Sequence, residues 1–171
     1  RAEALASARA IGLHRVVWLG YADSGMTGWE QNDHEGAFAA ASLDEAAARF
    51  AAVLDEEGAD VAVGYDWHGG YGHPDHVQVH RVLHRGAALA ARPPRVLEST
   101  TNRDALRTFV QAAAAAGQEG FDPDGPMDDG NPMGTPAAEI HWRVDVSDHL
   151  DRKRASLQCH ASQTSDVGML L

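Results

Sequence analysis

Four of the ten histidines in this 171-residue chain crowd into the stretch from His73 to His84. Histidine is the commonest neutral metal ligand and the usual acid or base near neutral pH. The densest part reads Tyr65-Asp66-Trp67-His68-Gly69-Gly70-Tyr71-Gly72-His73-Pro74-Asp75-His76. His73 and His76 stand three apart across a helix start, so both can face one point. Asp75 lies beside them and can orient an imidazole through its free ring N–H. Glycines at 69, 70 and 72 let the backbone approach a ligand with no Cβ in the way. The same residues also read as a plain polar helix start, with His73 as cap and Asp75 favoured by the helix dipole. Joint ligation of one metal by His73, Asp75 and His76 is strained, because consecutive helical residues point about 100° apart. His80 and His84 continue the i+4 spacing but lie deeper along the helix, and read as packing or solvent-facing residues.

The elements that must position this stretch follow from periodicity and punctuation. Residues 1–11 carry an apolar stripe at Ala4, Leu5, Ala8 and Ile11, a helix that Gly12 stops. The apolar, β-branched run at 15–19 reads as a buried strand. A polar loop follows over 20–41. Ser42 and Glu45 form a capping box for a helix that ends at Gly58. Residues 60–65 form a second strand, and the glycine-rich loop leaves its C-terminal end, where open α/β sheets build their sites. Pro74 suits the first turn of a helix that runs to about residue 91. A short strand at 95–98, a helix at 103–116 and an acidic Gly/Pro-rich loop or lid at 118–136 come next. An alternating strand at 139–146 and a helix from the cap Ser147 to about residue 158 complete the pattern. Helices alternating with apolar strands imply an α/β fold with a mainly parallel sheet.

Composition narrows the function classes. Hydrophobic content of 44% and charged content of 23% are ordinary for one globular domain with a core. A formal net charge of −11 argues against nucleic acid and against anionic membranes as partners. No apolar run approaches the roughly 20 residues of a bilayer span. Cys159 is the single cysteine, so no internal disulfide exists, which fits a reducing compartment and a cytoplasmic protein. The chain begins at Arg1 within a helical pattern and ends on Met169-Leu170-Leu171. The expectation is therefore a single domain, residues 1–171, cut from a longer protein at both ends.

The run Gly69-Gly70-Tyr71-Gly72-His73-Pro74-Asp75-His76-Val77, followed by His80, resembles the second metal-site motif of PIG-L/LmbE-like N-deacetylases, most of all the mycothiol-pathway members. Three further segments agree: the helix of residues 3–12, the loop Tyr21-Ala22-Asp23-Ser24-Gly25-Met26, and residues 153–163 with His160-Ala161-Ser162-Gln163. The resemblance implies a Rossmann-like α/β domain, incomplete at its N-terminus, with its sheet sandwiched by helices. It implies a zinc-dependent hydrolase, one Zn2+ per site with Fe2+ as an alternative, removing an acyl group from a small amino-sugar conjugate. His76 is then the metal ligand. His73 polarises the carbonyl or protonates the leaving amine, Asp75 tunes it, and Tyr71 helps hold the oxyanion. Asp23 contacts sugar hydroxyls, Met26 lines that pocket, and His160 and Gln163 line the site. A homo-oligomer is compatible with all of this. The family's first motif, a His-Pro-Asp-Asp run supplying two zinc ligands and the general base, does not occur in these 171 residues. That keeps a non-catalytic sugar-binding member as the alternative. Asp-Ser-Gly is also plain turn chemistry, Trp18, Trp67 and Trp142 read as core or pocket wall, and Cys159 as a packing residue.

Overall fold

Residues 1–118 and 121–163 are described by a computed structural model. Residues 119 and 120 of the expected lid, and the Met169-Leu170-Leu171 end, lie outside the described residues. The chain divides into two compact units, Leu19–His141 and the combination of Arg1–Trp18 with the described part of Trp142–Leu171. Among the described residues no helix is long and apolar enough to cross a membrane.

In the larger unit the order is helix α2 (Leu43–Glu57), strand β1 (Val61–Tyr65), helix α3 (Pro74–Leu89), strand β2 (Arg95–Ser99) and helix α4 (Arg103–Ala115). Here β1 and β2 pair in parallel, Val61 opposite Arg95 and Tyr65 opposite Ser99, with α3 as the crossover. The result is α/β, a small parallel sheet flanked by helices, as the alternating pattern implies. Ser42 caps α2 by accepting the Glu45 N–H, and Asn102 caps α4 by accepting the Ala105 N–H.

The core lies where α2 and α3 meet the sheet: Leu54, Ala62, Leu83, Ala87 and Ala90, with Phe50, Ala59 and Val96 against them. Small residues let the two helices approach. Ala46 and Ala47 on α2 are fully buried, and a Cβ at Gly86 would lie 2.7 Å from Phe50 Cδ1 and 3.0 Å from the Ala47 carbonyl oxygen. The alternation of β1 is visible in its exposure, with Ala62 buried and Val61, Val63 and Tyr65 exposed on the other face.

The smaller unit pairs α1 (Ala2–Ile11) with α5 (Leu150–Gln158). Gly12, at φ 81°, terminates α1 as expected. Ser7 Oγ and Ser156 Oγ lie 2.6 Å apart, and the Glu3 carboxylate accepts both the backbone N–H and the hydroxyl of Ser162, at 2.8 and 2.6 Å. These bonds hold the Glu3 carboxyl below its ordinary range.

Three local expectations are corrected. Residues 15–19 and 139–146 are not strands: no described segment forms a ladder with either, and Val17, Trp18, Trp142, Val144 and Val146 are exposed. A strand exists only through a partner's hydrogen bonds, so an apolar or alternating run is a necessary signal and not a sufficient one. Ser147 does not cap a helix. It donates its N–H and hydroxyl to Asp145 Oδ1, and a 3-10 turn over Ser147–His149 precedes α5. The three tryptophans read as core or wall, Trp18, Trp67 and Trp142, are all exposed.

Candidate active site

The loop leaving β1 is organised by Asp66, which is 2% exposed. Its N–H continues the ladder to the Ser99 carbonyl at 3.2 Å. Its Oδ1 accepts the Gly70 N–H at 2.7 Å and its Oδ2 accepts the Thr100 hydroxyl at 2.6 Å. One carboxylate thus ties the ends of both strands to the glycine loop. The loop then closes tightly through Gly69 N–H to Asp66 O and Gly72 N–H to His68 O. Gly69 has φ 68°, a conformation that L side chains rarely adopt, and a Cβ there would meet His76 Cβ at 2.5 Å. The bare glycine is what lets the loop lie on the first turn of α3.

His73 is the N-cap of α3, with Pro74 at its first position. Its Nδ1 accepts the Asp75 backbone N–H at 3.1 Å. That atom therefore carries no proton in this geometry, and the neutral ring's proton sits on Nε2. It is the backbone of Asp75 that meets the His73 ring. The Asp75 carboxylate turns to the Asp23 loop, where Oδ2 accepts the Ser24 N–H at 3.1 Å, while the buried Oδ1 has no hydrogen-bond partner among the described residues.

His76 stacks on Tyr65 with ring centroids 4.0 Å apart, lies 4.8 Å from the His73 ring, and meets the edge of Tyr71 at 5.2 Å. Its Nδ1 lies 3.2 Å from the Gly69 carbonyl oxygen, so a proton there is donated to that carbonyl and Nε2 is left with a free lone pair. Burial pushes the His76 imidazole below its ordinary value, against an opposing pull from the Gly69 carbonyl. The ring is thus neutral near pH 7, the form that binds a metal. Burial pushes the Tyr71 phenol up, with Tyr65, Asp128 and Asp23 adding to it, so its O–H is retained as a donor.

The structure brings Tyr71, His73, Asp75 and His76 together on one loop and helix start. The Asp23 loop is tied to them by the Ser24–Asp75 bond. Asp23 Oδ1 accepts the Gly25 N–H at 2.8 Å, the turn contact that Asp-Ser-Gly suggests. The carbonyls of Ser24 and Met26 both accept from Asn32 Nδ2. His160 and Gln163 belong to the smaller unit, in a turn closed by the Gln163 N–H to the His160 carbonyl.

Sequence reasoning passed over several residues that the fold uses. Ser24 is fully buried, its N–H on Asp75 and its Oγ accepting the Ala39 N–H. His68 is 1% exposed, its ring 3.9 Å from Asp66 Oδ1 and 3.6 Å from Asp129 Oδ2, with neither ring nitrogen hydrogen-bonded among the described residues. The 127–134 stretch borders the glycine loop through Asp128 N–H to Tyr71 O and Gly134 N–H to Gly70 O. Asp128 Oδ2 also accepts the Thr27 N–H, and Arg103 holds the carbonyls of Met133 and Gly134. Only the position of Asp66, at a strand end before a glycine run, was a signal available in the sequence.

A parallel βαβ unit with a two-histidine loop at the C-terminal end of its first strand defines an α/β protein with its candidate site at a strand end. Residues 1–86 match the family model described as PIG-L: GlcNAc-PI de-N-acetylase. Three relatives carry the name 1D-myo-inositol 2-acetamido-2-deoxy-alpha-D-glucopyranoside deacetylase. That of Nocardioides sp. is 36% identical over 86% of this chain and 56% of its own length. That of Geodermatophilus obscurus is 38% identical over 97% of this chain and 62% of its own. That of Streptomyces avermitilis is 60% identical over 43% of this chain and 25% of its own. The chain belongs to the PIG-L family. It spans about 56–62% of the length of the first two of these relatives.

Proposed function

We propose that this chain carries part of the active site of a metal-dependent N-deacetylase that hydrolyses the N-acyl group of a small GlcNAc-type conjugate. The observation that carries the reading is the clustering of three side chains: the His73 and His76 ring centroids lie 4.8 Å apart and the Tyr71 ring lies 5.2 and 6.2 Å from His76 and His73, with His76 Nδ1 on the Gly69 carbonyl and His73 Nδ1 on the Asp75 N–H. The matching of relatives over nearly the whole chain supports one deacetylase domain across residues 1–171.

The residues present fit a divalent cation such as zinc in part. Nε2 of His76 is one nitrogen donor with its other ring nitrogen on a carbonyl, the usual support of a ligating histidine. The resemblance assigns two more ligands and the general base to the His-Pro-Asp-Asp run, which these residues do not contain. A bound zinc would lower the pKa of a coordinated water to about 7 and take up charge from the carbonyl oxygen. His73 then acts from Nε2: with Nδ1 committed to the Asp75 N–H, the ring donates a hydrogen bond to the substrate carbonyl, a polarising role. Tyr71 offers a second donor to the same developing oxyanion. Asp75 aligns the Asp23 loop through Ser24, and Asp23 and Met26 meet the sugar.

Metal content by mass spectrometry beside kcat on N-acetylglucosaminyl conjugates tests this in the full-length protein. His76→Ala should lose one equivalent of metal together with activity. His73→Ala should keep the metal while turnover slows on the order of 10²–10⁴-fold, and Asp75→Ala, which keeps the backbone N–H on His73 but loses the carboxylate on Ser24, should keep the metal and raise KM through the Asp23 loop. Loss of metal in His73→Ala with retention in His76→Ala would reverse the two roles. Sugar binding without turnover by the full-length protein would favour the non-catalytic reading, which the missing His-Pro-Asp-Asp run keeps open.

A further inference from the structure

One turn further along α3, two histidines meet a glutamate from the sheet. His80 and His84 are spaced i, i+4 on one face of the helix, with ring centroids 4.6 Å apart. Across the interface, Glu98 of β2 places Oε1 2.7 Å from His84 Nε2 and 3.5 Å from His80 Nδ1. One possible ligand atom from each of the three residues falls within 4.8 Å of the others. Two ligands at about 2.1 Å from a tetrahedral zinc lie about 3.4 Å apart, so the cluster needs only rotamer adjustment to surround an ion. The three side chains are partly open to solvent, at 21%, 48% and 37% exposure, so an ion can reach them and a water can fill a fourth position. His80 Nδ1 also lies 3.3 Å from the Tyr65 carbonyl oxygen, a contact that a ligating Nδ1 gives up.

We infer that His80, His84 and Glu98 form a second metal site, distinct from the one at His76, that takes a borderline divalent transition ion. Two imidazoles and one carboxylate suit Zn2+, Co2+ or Ni2+ and disfavour the hard, oxygen-seeking Mg2+ and Ca2+. The donors come from α3 and from β2, so an ion there staples the helix that presents His73 and His76 to the strand beside β1. Binding to the folded state alone raises stability with ion concentration.

The test is a titration of the protein with Co2+ and with Zn2+, followed by visible absorption, calorimetry and thermal melting. The variants are His84→Ala, Glu98→Gln, the two combined, and His76→Ala. One equivalent should still bind in His76→Ala, with the visible bands of low-symmetry Co2+. The combined variant should lose that equivalent, or bind it more than about 100-fold more weakly, beyond the loss typical of an outer-shell partner. Each single variant should fall between. The metal-dependent rise in Tm should vanish with it, while the urea midpoint without metal stays close to the parent's, which shows that the variants fold. Undiminished binding in the combined variant overturns the inference and leaves a proton-bridged His84–Glu98 pair. So does loss of the equivalent in His76→Ala alone.

Discussion

Gly69→Ala and Gly70→Ala separate two costs that usually come together. Both glycines lie in the left-handed region, at φ 68° and 78°. A residue with a Cβ costs roughly 1–2 kcal/mol there, offset by roughly 0.4–1 kcal/mol from the less flexible unfolded chain. At Gly70 nothing among the described residues lies within 4 Å of the added Cβ, so the net loss should be about 1 kcal/mol. At Gly69 the Cβ would meet His76 Cβ at 2.5 Å, and the His76 carbonyl carbon and Val77 nitrogen at 2.9 Å each. Two of these are helix backbone atoms, so no rotamer change relieves the contact. The first turn of α3 has to move, and overpacking of that kind costs a further 1–3 kcal/mol or so. The total at Gly69 should be about 2–4 kcal/mol. The same shift displaces the His76 ring from the Gly69 carbonyl that orients it, so metal affinity in the full-length protein should fall for Gly69→Ala and hold for Gly70→Ala. Urea denaturation followed by circular dichroism measures the first quantity and zinc titration the second. Equal destabilisation by the two substitutions would refute the reasoning, because it would mean that the loop does not press on the helix start.

Other consequences are open to measurement. Asp23→Ala should raise KM or lower kcat/KM on amino-sugar substrates while leaving metal content unchanged; unaltered kinetics on every such substrate would leave Asp23 as a turn residue only. Asp104 accepts the Ala137 N–H at 2.7 Å and pairs with Arg107, and these contacts, the backbone bond first, hold its carboxyl below the ordinary 3.8. A depressed folded value means that its contribution is complete above pH 3.8 and is lost as pH falls through the lower folded value. The Ala137 amide resonance should therefore hold its position until the pH is below 3.8, and Asp104→Asn should abolish that acid transition.

The helices of this chain were legible because a helix closes its hydrogen bonds within four residues. Gly12 after α1, Ser42 before α2 and Pro74 at the start of α3 are local signals, and the structure uses each of them as such. The loop–helix start at 69–76 was legible for the same reason: its histidines converge through helix geometry and short turns. Strands were legible only where a partner exists. Residues 61–65 and 95–99 pair, whereas 15–19 and 139–146, equally persuasive as patterns, find no ladder among the described residues. What tertiary structure alone decided is which distant groups complete the local ones. Ser24 reaches Asp75 across 51 positions, Asp66 gathers Thr100 from the end of the neighbouring strand, and Glu98 turns two surface histidines into a cluster. No periodicity encodes such pairs, because they depend on the register between β1 and β2 and on how closely α3 lies on them, and both of those are set by packing.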